Sequence, residues 1–366
     1  MKKLILSLCV ILTLTACKDE KKDTAQADTR PVIKIGAILP LTGSQAPMGE
    51  AAKAGMQKAL KENTNPNQHY DYQLVFEDNQ AKLPSMPTIA NKMVMQDNID
   101  VLGTITTAMA RVIAPISDQK EKVLYAFSIE QEKYQRFGKY AFTQGTSIEA
   151  LSDKFVESFA KNNQDNISIF VENIGVLGPL TSYLKTKLNE KGINHKINEF
   201  NPGETDFRIA IEKTKADGYT NFGVFAFPPE RNIIMKQLLE AGISYNNFYS
   251  FSLDMDYVAE NYDGIKTITY NCGTEDFVES IQKEYNIDST YGSAEFYDFV
   301  SMMIEAYEAL YKEGQKPTAE EIVSYIHNKK EFPCMSGQCV VHSNGFIIND
   351  PILRIYTNNK WKTIEE

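Results

Sequence analysis

Short, nearly continuous apolar runs alternate along the chain with longer stretches whose apolar residues recur at helical spacing. The first run holds Val32, Ile33, Ile35, Ala37, Ile38 and Leu39. A run this short predicts a strand covered on both faces. Pro40 ends it, and Leu41 to Ala46 carry the Thr, Gly and Ser of a loop. Pro47 suits the first turn of a helix, where its missing N–H is not needed. Ala51, Ala54, Gly55, Lys58 and Ala59 then form a small-residue stripe, which predicts close packing of that helix against a sheet. The loop falls at the carboxyl end of the strand and the amino end of the helix, where open α/β sheets bind ligands.

The same alternation continues. Strands are predicted over Tyr72–Phe76, Ile99–Ile105, Val123–Phe127, Tyr140–Thr143, Ile167–Val171, Ile193–Phe200, Phe222–Phe227 and Asn247–Phe251. Helices are predicted over Pro87–Asn98, Thr107–Gln119, Ile148–Asn162, Leu177–Lys191, Phe207–Asp217 and Glu230–Ala241. Leu151, Phe155 and Phe159 mark one helical face, and Gly192 ends the helix before it. Near the end of the chain, Val340-Val341, Phe346–Ile348 and Ile352–Tyr356 read as short strands, with turns at Ser343-Asn344-Gly345 and Asn358-Asn359. Strand–helix alternation implies an α/β fold of mainly parallel sheets with helices on both faces.

Residues 1–16 break the pattern. Lys2 and Lys3 precede the apolar stretch Leu4–Leu14, which is too short to span a membrane and suits a secretory signal. Leu14-Thr15-Ala16-Cys17 resembles a bacterial lipobox, with Cys17 as the lipidated first mature residue; the bland alternative is a plain signal with a chance cysteine. Residues 17–30 have no large apolar side chain and are expected to be a disordered tether. The chain is therefore expected outside the cytoplasm, held to a bacterial membrane by lipid, on the periplasmic face or the cell surface. Roughly 335 of the 366 residues remain, too many for one ordinary core and suited to two.

Losing Lys2 and Lys3 takes the formal charge from −10 to −12. An acidic surface argues against nucleic acid and anionic lipid as partners. Three cysteines remain beyond the tether. In an oxidising compartment Cys334 and Cys339 would close a small loop as a disulfide; otherwise they are two reduced thiols in a hairpin. Cys272 would then be unpaired and buried.

Catalytic signatures are absent: there is no G-x-S-x-G, H-E-x-x-H, P-loop or G-x-G-x-x-G. His69, His195, His327 and His342 are scattered and read as surface residues rather than metal ligands. Glu320-Glu321 and the Asp254, Asp256 pair are the kind of carboxylate pairs that 48 acidic residues supply by chance. Neither an enzyme nor a cofactor is expected. Thr106 and Thr107 follow a buried strand and open a helix. Their hydroxyls, the free N–H groups and the helix dipole would hold a carboxylate, unless one threonine is merely an N-cap.

Ile35-Gly36-Ala37-Ile38-Leu39-Pro40-Leu41-Thr42-Gly43, with Gly49-Glu50 and Gly55 after it, is similar to the opening of the leucine/isoleucine/valine-binding family of type I periplasmic binding proteins. Weaker matches follow in the family's order: Val101–Thr107, Asn166–Glu172 with Gly175 and Gly178, Phe200–Phe207, Phe225–Glu230, Gln237–Gly242 and the long helix over Tyr291–Gly314 with Tyr297-Asp298. The resemblance implies two Rossmann-like lobes joined by a three-crossing hinge. Lobe 1 would take residues 31–144 and 272–330, and lobe 2 residues 145–271 and 331–366. The crossings would fall near Thr143–Ser147, Tyr270–Gly273 and Lys329–Cys334.

It also implies a ligand site. Thr106, Thr107 and Ser128 would meet the ligand on lobe 1, and Phe227, Ser252 and Asp254 would close from lobe 2. Phe227 lacks a hydroxyl and can only stack or pack. The sequence departs from the family at Phe127-Ser128-Ile129-Glu130-Gln131, where Glu130 either meets a cationic group or is an exposed loop charge. It departs again at Ser252 to Asp254; a carboxylate closed into a cleft there would need a cationic partner. The implied function is capture of a small polar ligand, an amino acid before others, by a monomer that delivers it to an ABC permease. The rival is an envelope lipoprotein of the same fold that regulates cell-wall synthesis through protein contacts and carries no solute.

Overall fold

The computed structural model describes residues 30–364 apart from 44, 129–136, 163–164, 176, 228, 252–262, 270, 272 and 359. The expectations for the leader, Cys17, Glu130, Ser252, Asp254 and Cys272 lie outside the described residues. Arg30, assigned to the tether, belongs to the body: its guanidinium pairs with Asp71 at 2.5 Å and donates to the carbonyls of Pro66 and Gln68.

In chain order the first elements are β1 (Val32–Leu39), α1 (Ala46–Asn63), β2 (Asp71–Asp78), α2 (Met86–Met95), β3 (Val101–Ile105), α3 (Thr107–Gln119), β4 (Val123–Phe127) and β5 (Ala141–Gly145). Next come α4 (Ile148–Lys161), β6 (Asn166–Glu172), α5 (Leu177–Glu190), β7 (Asn194–Phe200), α6 (Arg208–Ala216), β8 (Phe222–Phe225), α7 (Glu230–Glu240), β9 (Phe248–Phe251) and β10 (Lys266–Thr269). The chain ends with α8 (Glu275–Tyr285), α9 (Ser293–Ala309), α10 (Ala319–Lys329), β11 (Glu331–Cys334), β12 (Gly337–Val341), β13 (Phe346–Ile348), β14 (Ile352–Thr357) and β15 (Lys360–Thr363).

Two sheets result, as the alternation of elements predicts. The first has the order β11-β12-β13-β5-β4-β3-β1-β2 and the second β15-β14-β10-β9-β8-β6-β7. The strands from β2 to β13 run parallel, with β12 and β11 antiparallel at one edge. In the second sheet β14 and β15 form the antiparallel edge. β3 and β4 are buried at every position, which is why they read as continuous apolar runs.

The last expected crossing is corrected. Residues 331–348 join the first sheet, and only β14 and β15 join the second. Phe346–Ile348 pair in parallel with Thr143–Gly145, covering the open edge of β5, and Phe332, Val341 and Ile347 bury in the first core. The chain thus passes for the last time between Ile348 and Ile352, not near Lys329–Cys334. Cys334 and Cys339 are joined as a disulfide across the β11–β12 hairpin.

The small-residue stripe on α1 is also corrected. Ala52, Met56 and Ala59 face the sheet core, whereas Ala54 packs with Phe277, Ile281 and Ala294. Gly55 lies against α9: a Cβ there would stand 2.0 Å from the Ser293 carbonyl oxygen. Ala59 of the predicted stripe thus faces the sheet core as expected, while Ala54 and Gly55 serve a helix–helix contact, where small residues let backbones approach.

Candidate functional site

Strand order reverses between β1 and β3 in the first sheet and between β6 and β8 in the second. Ligands of open α/β sheets bind outside the carboxyl ends of the strands at such points. On the first sheet, Asp78 at the end of β2 holds the loop after β1. Its carboxylate accepts from the Leu41 N–H at 2.9 Å and the Thr42 hydroxyl at 2.5 Å. Burial pushes this carboxyl up, but bonds from Thr42, Gln80 and Leu41 outweigh it and hold the group below its ordinary value.

Thr106 follows β3 with φ 74° and ψ 142°, a backbone conformation that L residues rarely adopt. Such strain costs on the order of 1–3 kcal/mol and gathers at ligand sites. The Thr106 N–H donates to the Phe127 carbonyl at 2.8 Å, which turns the chain across the end of β4. Its hydroxyl accepts from the Met109 N–H at 3.4 Å, so Thr106 is the N-cap of α3. Capping explains the hydroxyl; it does not require the positive φ. Thr107 opens the helix at its positive dipole end.

Ser128 stands beside them, one residue past β4, and is 4% exposed. Its N–H donates to the Gln144 carbonyl at 3.0 Å, while its Oγ has no hydrogen-bond partner among the described residues. A buried hydroxyl left so costs about 1–3 kcal/mol, which a polar ligand group at this edge would offset. Gly145 is required by the same close approach: a Cβ there would lie 2.1 Å from the Ser128 carbonyl oxygen. Sequence reasoning missed Tyr291, whose ring packs 5.1 Å from that of Phe127. The next residue, Gly292, at φ 82°, lies against Phe127 and Ile105. The sequence resemblance starts a long helix at Tyr291; in the structure the helix begins at Ser293, and the turn before it borders this edge.

On the second sheet, Phe227 lies two residues past β8 and is half-buried. Its N–H donates to Glu172 Oε2 at 3.0 Å, and its carbonyl accepts from the Arg231 N–H at 3.1 Å. Glu172 ends β6 and is 4% exposed. It too was missed, although a carboxylate closing the apolar run Ile167–Val171 is a visible signal. Glu230, at the start of α7, is buried and accepts from the Gly203 N–H at 2.7 Å. Thr106, Thr107 and Ser128 therefore share one edge, and Phe227 stands at the corresponding edge of the other sheet.

A model of the family described as periplasmic binding protein matches residues 32–351. The chain belongs to that family. It is 26% identical over 220 residues to a Leu/Ile/Val-binding protein homolog of Brucella abortus, a match that covers 58% of each chain. The chain thus spans less than two thirds of that relative's length. Its fold matches the branched-chain amino acid transporter substrate-binding protein LivJ of Streptococcus pneumoniae, solved with isoleucine, with TM-score 0.75, 17% identity and coverage of 92% and 100%. It matches equally a solute-binding protein of an ABC transporter from Rhodopseudomonas palustris, solved with 3,4-dihydroxybenzoic acid, with TM-score 0.76, 16% identity and coverage of 92% and 96%. The expected type I periplasmic binding protein fold is therefore present, and the relatives are binding proteins rather than enzymes. Among the described residues, no helix is long and apolar enough to cross a membrane.

Proposed function

We propose that the protein is a lipid-anchored, extracytoplasmic solute-binding protein that closes two lobes over a small polar ligand and delivers it to an ABC importer. The observation that carries the reading is the edge formed by strained Thr106, the amino end of α3 and the buried hydroxyl of Ser128, which has no hydrogen-bond partner among the described residues. Such an edge suits a carboxylate, which accepts from hydroxyls and from helix N–H groups. Isoleucine and 3,4-dihydroxybenzoic acid, bound by two proteins of this fold, share a carboxylate and differ in everything beside it. The anionic end would lie against Thr106, Thr107 and Ser128, with Phe227 packing on the remainder from the second lobe. Lobe closure follows because the closed state binds the ligand better.

The test is thermal unfolding of residues 30–366, first unfolded and refolded to strip carried ligand, against amino acids, aromatic acids, amides and sugars. A ligand at about 100 times its dissociation constant adds roughly 2.7 kcal/mol of stability. Carboxylates are expected to stabilise and their amides not. The double substitution Thr106→Ala, Thr107→Ala is expected to abolish the stabilisation while leaving the protein folded. A refolded protein that no carboxylate stabilises refutes the reading and favours the protein-interaction rival.

A further inference from the structure

The three passages of the chain between the sheets meet one small loop, Met335 to Gln338, closed by the Cys334–Cys339 disulfide. Gln144 precedes the first passage, and its Nε2 donates to Ser336 Oγ at 2.9 Å and to Asp298 Oδ2 at 3.0 Å. Asn349 begins the third: its side chain donates to Ser336 Oγ at 2.7 Å and its N–H to the Gly145 carbonyl at 2.8 Å. At the second, a Cβ on Gly273 would lie 3.1 Å from Met335 Cγ, and one on Gly337 would lie 3.3 Å from Asn271 Nδ2.

Asp298, on α9 and 1% exposed, holds the loop in place. Its carboxylate accepts from the Met335 N–H at 2.5 Å, the Ser336 N–H at 3.2 Å, the Ser336 hydroxyl at 2.5 Å and the Gln144 amide. Each of these partners is a donor to it. Ser336 is saturated as well. A hydroxyl has one proton and two lone pairs. The proton goes to Asp298, and the lone pairs receive Gln144 and Asn349.

Among the described residues, a proton added to Asp298 meets no free oxygen acceptor. It must point at a donor, or turn Ser336 into its acceptor and displace Gln144 or Asn349. We propose that this clasp is a proton-operated release for the passages about which the lobes turn. The segments next to the first and third passages are held in the carboxylate form and one of them is let go in the acid form.

The direction follows from linkage. Burial pushes the Asp298 carboxyl up, to about 6, against the Ser336, Met335 and Gln144 bonds that pull it down. Release removes those bonds while α9 stays packed, so the released carboxyl holds its proton more tightly, and acid favours release. The other titratable groups facing the cluster are few. Tyr125 on β4 donates to Gln144 Oε1 at 2.7 Å, and its phenol is pushed up by burial and stays neutral. Glu295 lies buried one turn earlier on α9. The hairpin faces Asp298 with two oxidised cysteines, and β5 and β13 with the non-titrating Gln144 and Asn349. On the far side of α9, Lys58 and Glu62 of α1 pair at 2.7 Å, with Glu284 of α8 at 3.9 Å from Lys58.

Hydrogen–deuterium exchange of the ligand-free protein tests this, so the outcome does not depend on the identity of any ligand or on the site proposed above. Exchange is read in segments 144–150 and 346–353 between pH 7.5 and 5.0 and corrected for intrinsic chemical rates. Protection in at least one of the two segments is expected to fall about tenfold, the worth of a hydrogen bond to a charged group, with a midpoint near that of Asp298. Protection in β1 and β3 should not change. Asp298→Asn and Ser336→Ala should exchange fast at both pH values and lose the pH response; Glu295→Gln should keep it. Unchanged corrected protection in the wild type across this range overturns the proposal. So does a wild-type pH response in either folded clasp variant.

Discussion

Thr106 carries two burdens that pull apart under mutation. It caps α3 through its hydroxyl, and it holds a positive φ that a side chain resists. Thr106→Ala removes the cap and keeps the strain, so the protein should lose about 1 kcal/mol. Thr106→Gly loses only a few tenths for the cap and relieves strain worth about 1–3 kcal/mol, so it should be more stable than the wild type. Urea unfolding of both variants measures this, and a glycine variant no more stable than the alanine one would show the conformation to be unstrained. Both should bind the ligand less well, the usual trade between a strained site and stability. The hydroxyls of Thr106, Thr107 and Ser128 were legible in the sequence, because each follows the end of an apolar run. The backbone angle was not, since nothing in a threonine announces φ. Glu172 was passed over because it also serves as the end of a strand and Tyr291 because it reads as part of the helix that follows, and what they touch depends on residues far along the chain.

Among the elements, α1 and α9 show how little room the first lobe leaves. The missing side chain of Gly55 admits the Ser293 carbonyl, and a Cβ would meet backbone that cannot swing aside. Gly55→Ala should therefore destabilise by about 1–3 kcal/mol, although alanine favours helix, because the two helices must separate. Urea unfolding would show a gain instead if the helical preference outweighed the clash. Strands and helices themselves were well read from periodicity: α3 and β4 fall on the predicted residues. β12 and β13 were visible as strands, but β11, where a crossing was expected, was not, and neither was the sheet they join. Short amphipathic strands carry no label for the edge they will join, and here the buried side of Phe332, Val341 and Ile347 decided it.

At the scale of the molecule, each sheet is built from separated segments. β13 lies beside β5, and β14 beside β10, although most of the chain's helices intervene between the first pair. Two cores were inferred from length and parallel sheets from the order of elements, while a ligand edge on each was an expectation drawn from the family resemblance. The final passage could not be inferred, because it rests on the same late pairing. That pairing also sets a timetable. A ribosome delivers residues from the amino end, so Ala141–Gly145 emerges long before Phe346–Ile348 can cover it. Until then the first sheet ends in a bare parallel edge, and the second waits likewise for β14. Unpaired edges of this kind recruit other chains. A chain cut after Lys330 should form most of its helices yet collect in the insoluble fraction, and a soluble monomer from that truncation would contradict the account. The growing protein is thus at its most adhesive just before β13 and β14 arrive, so whatever shields nascent chains must hold this one until both strands have emerged.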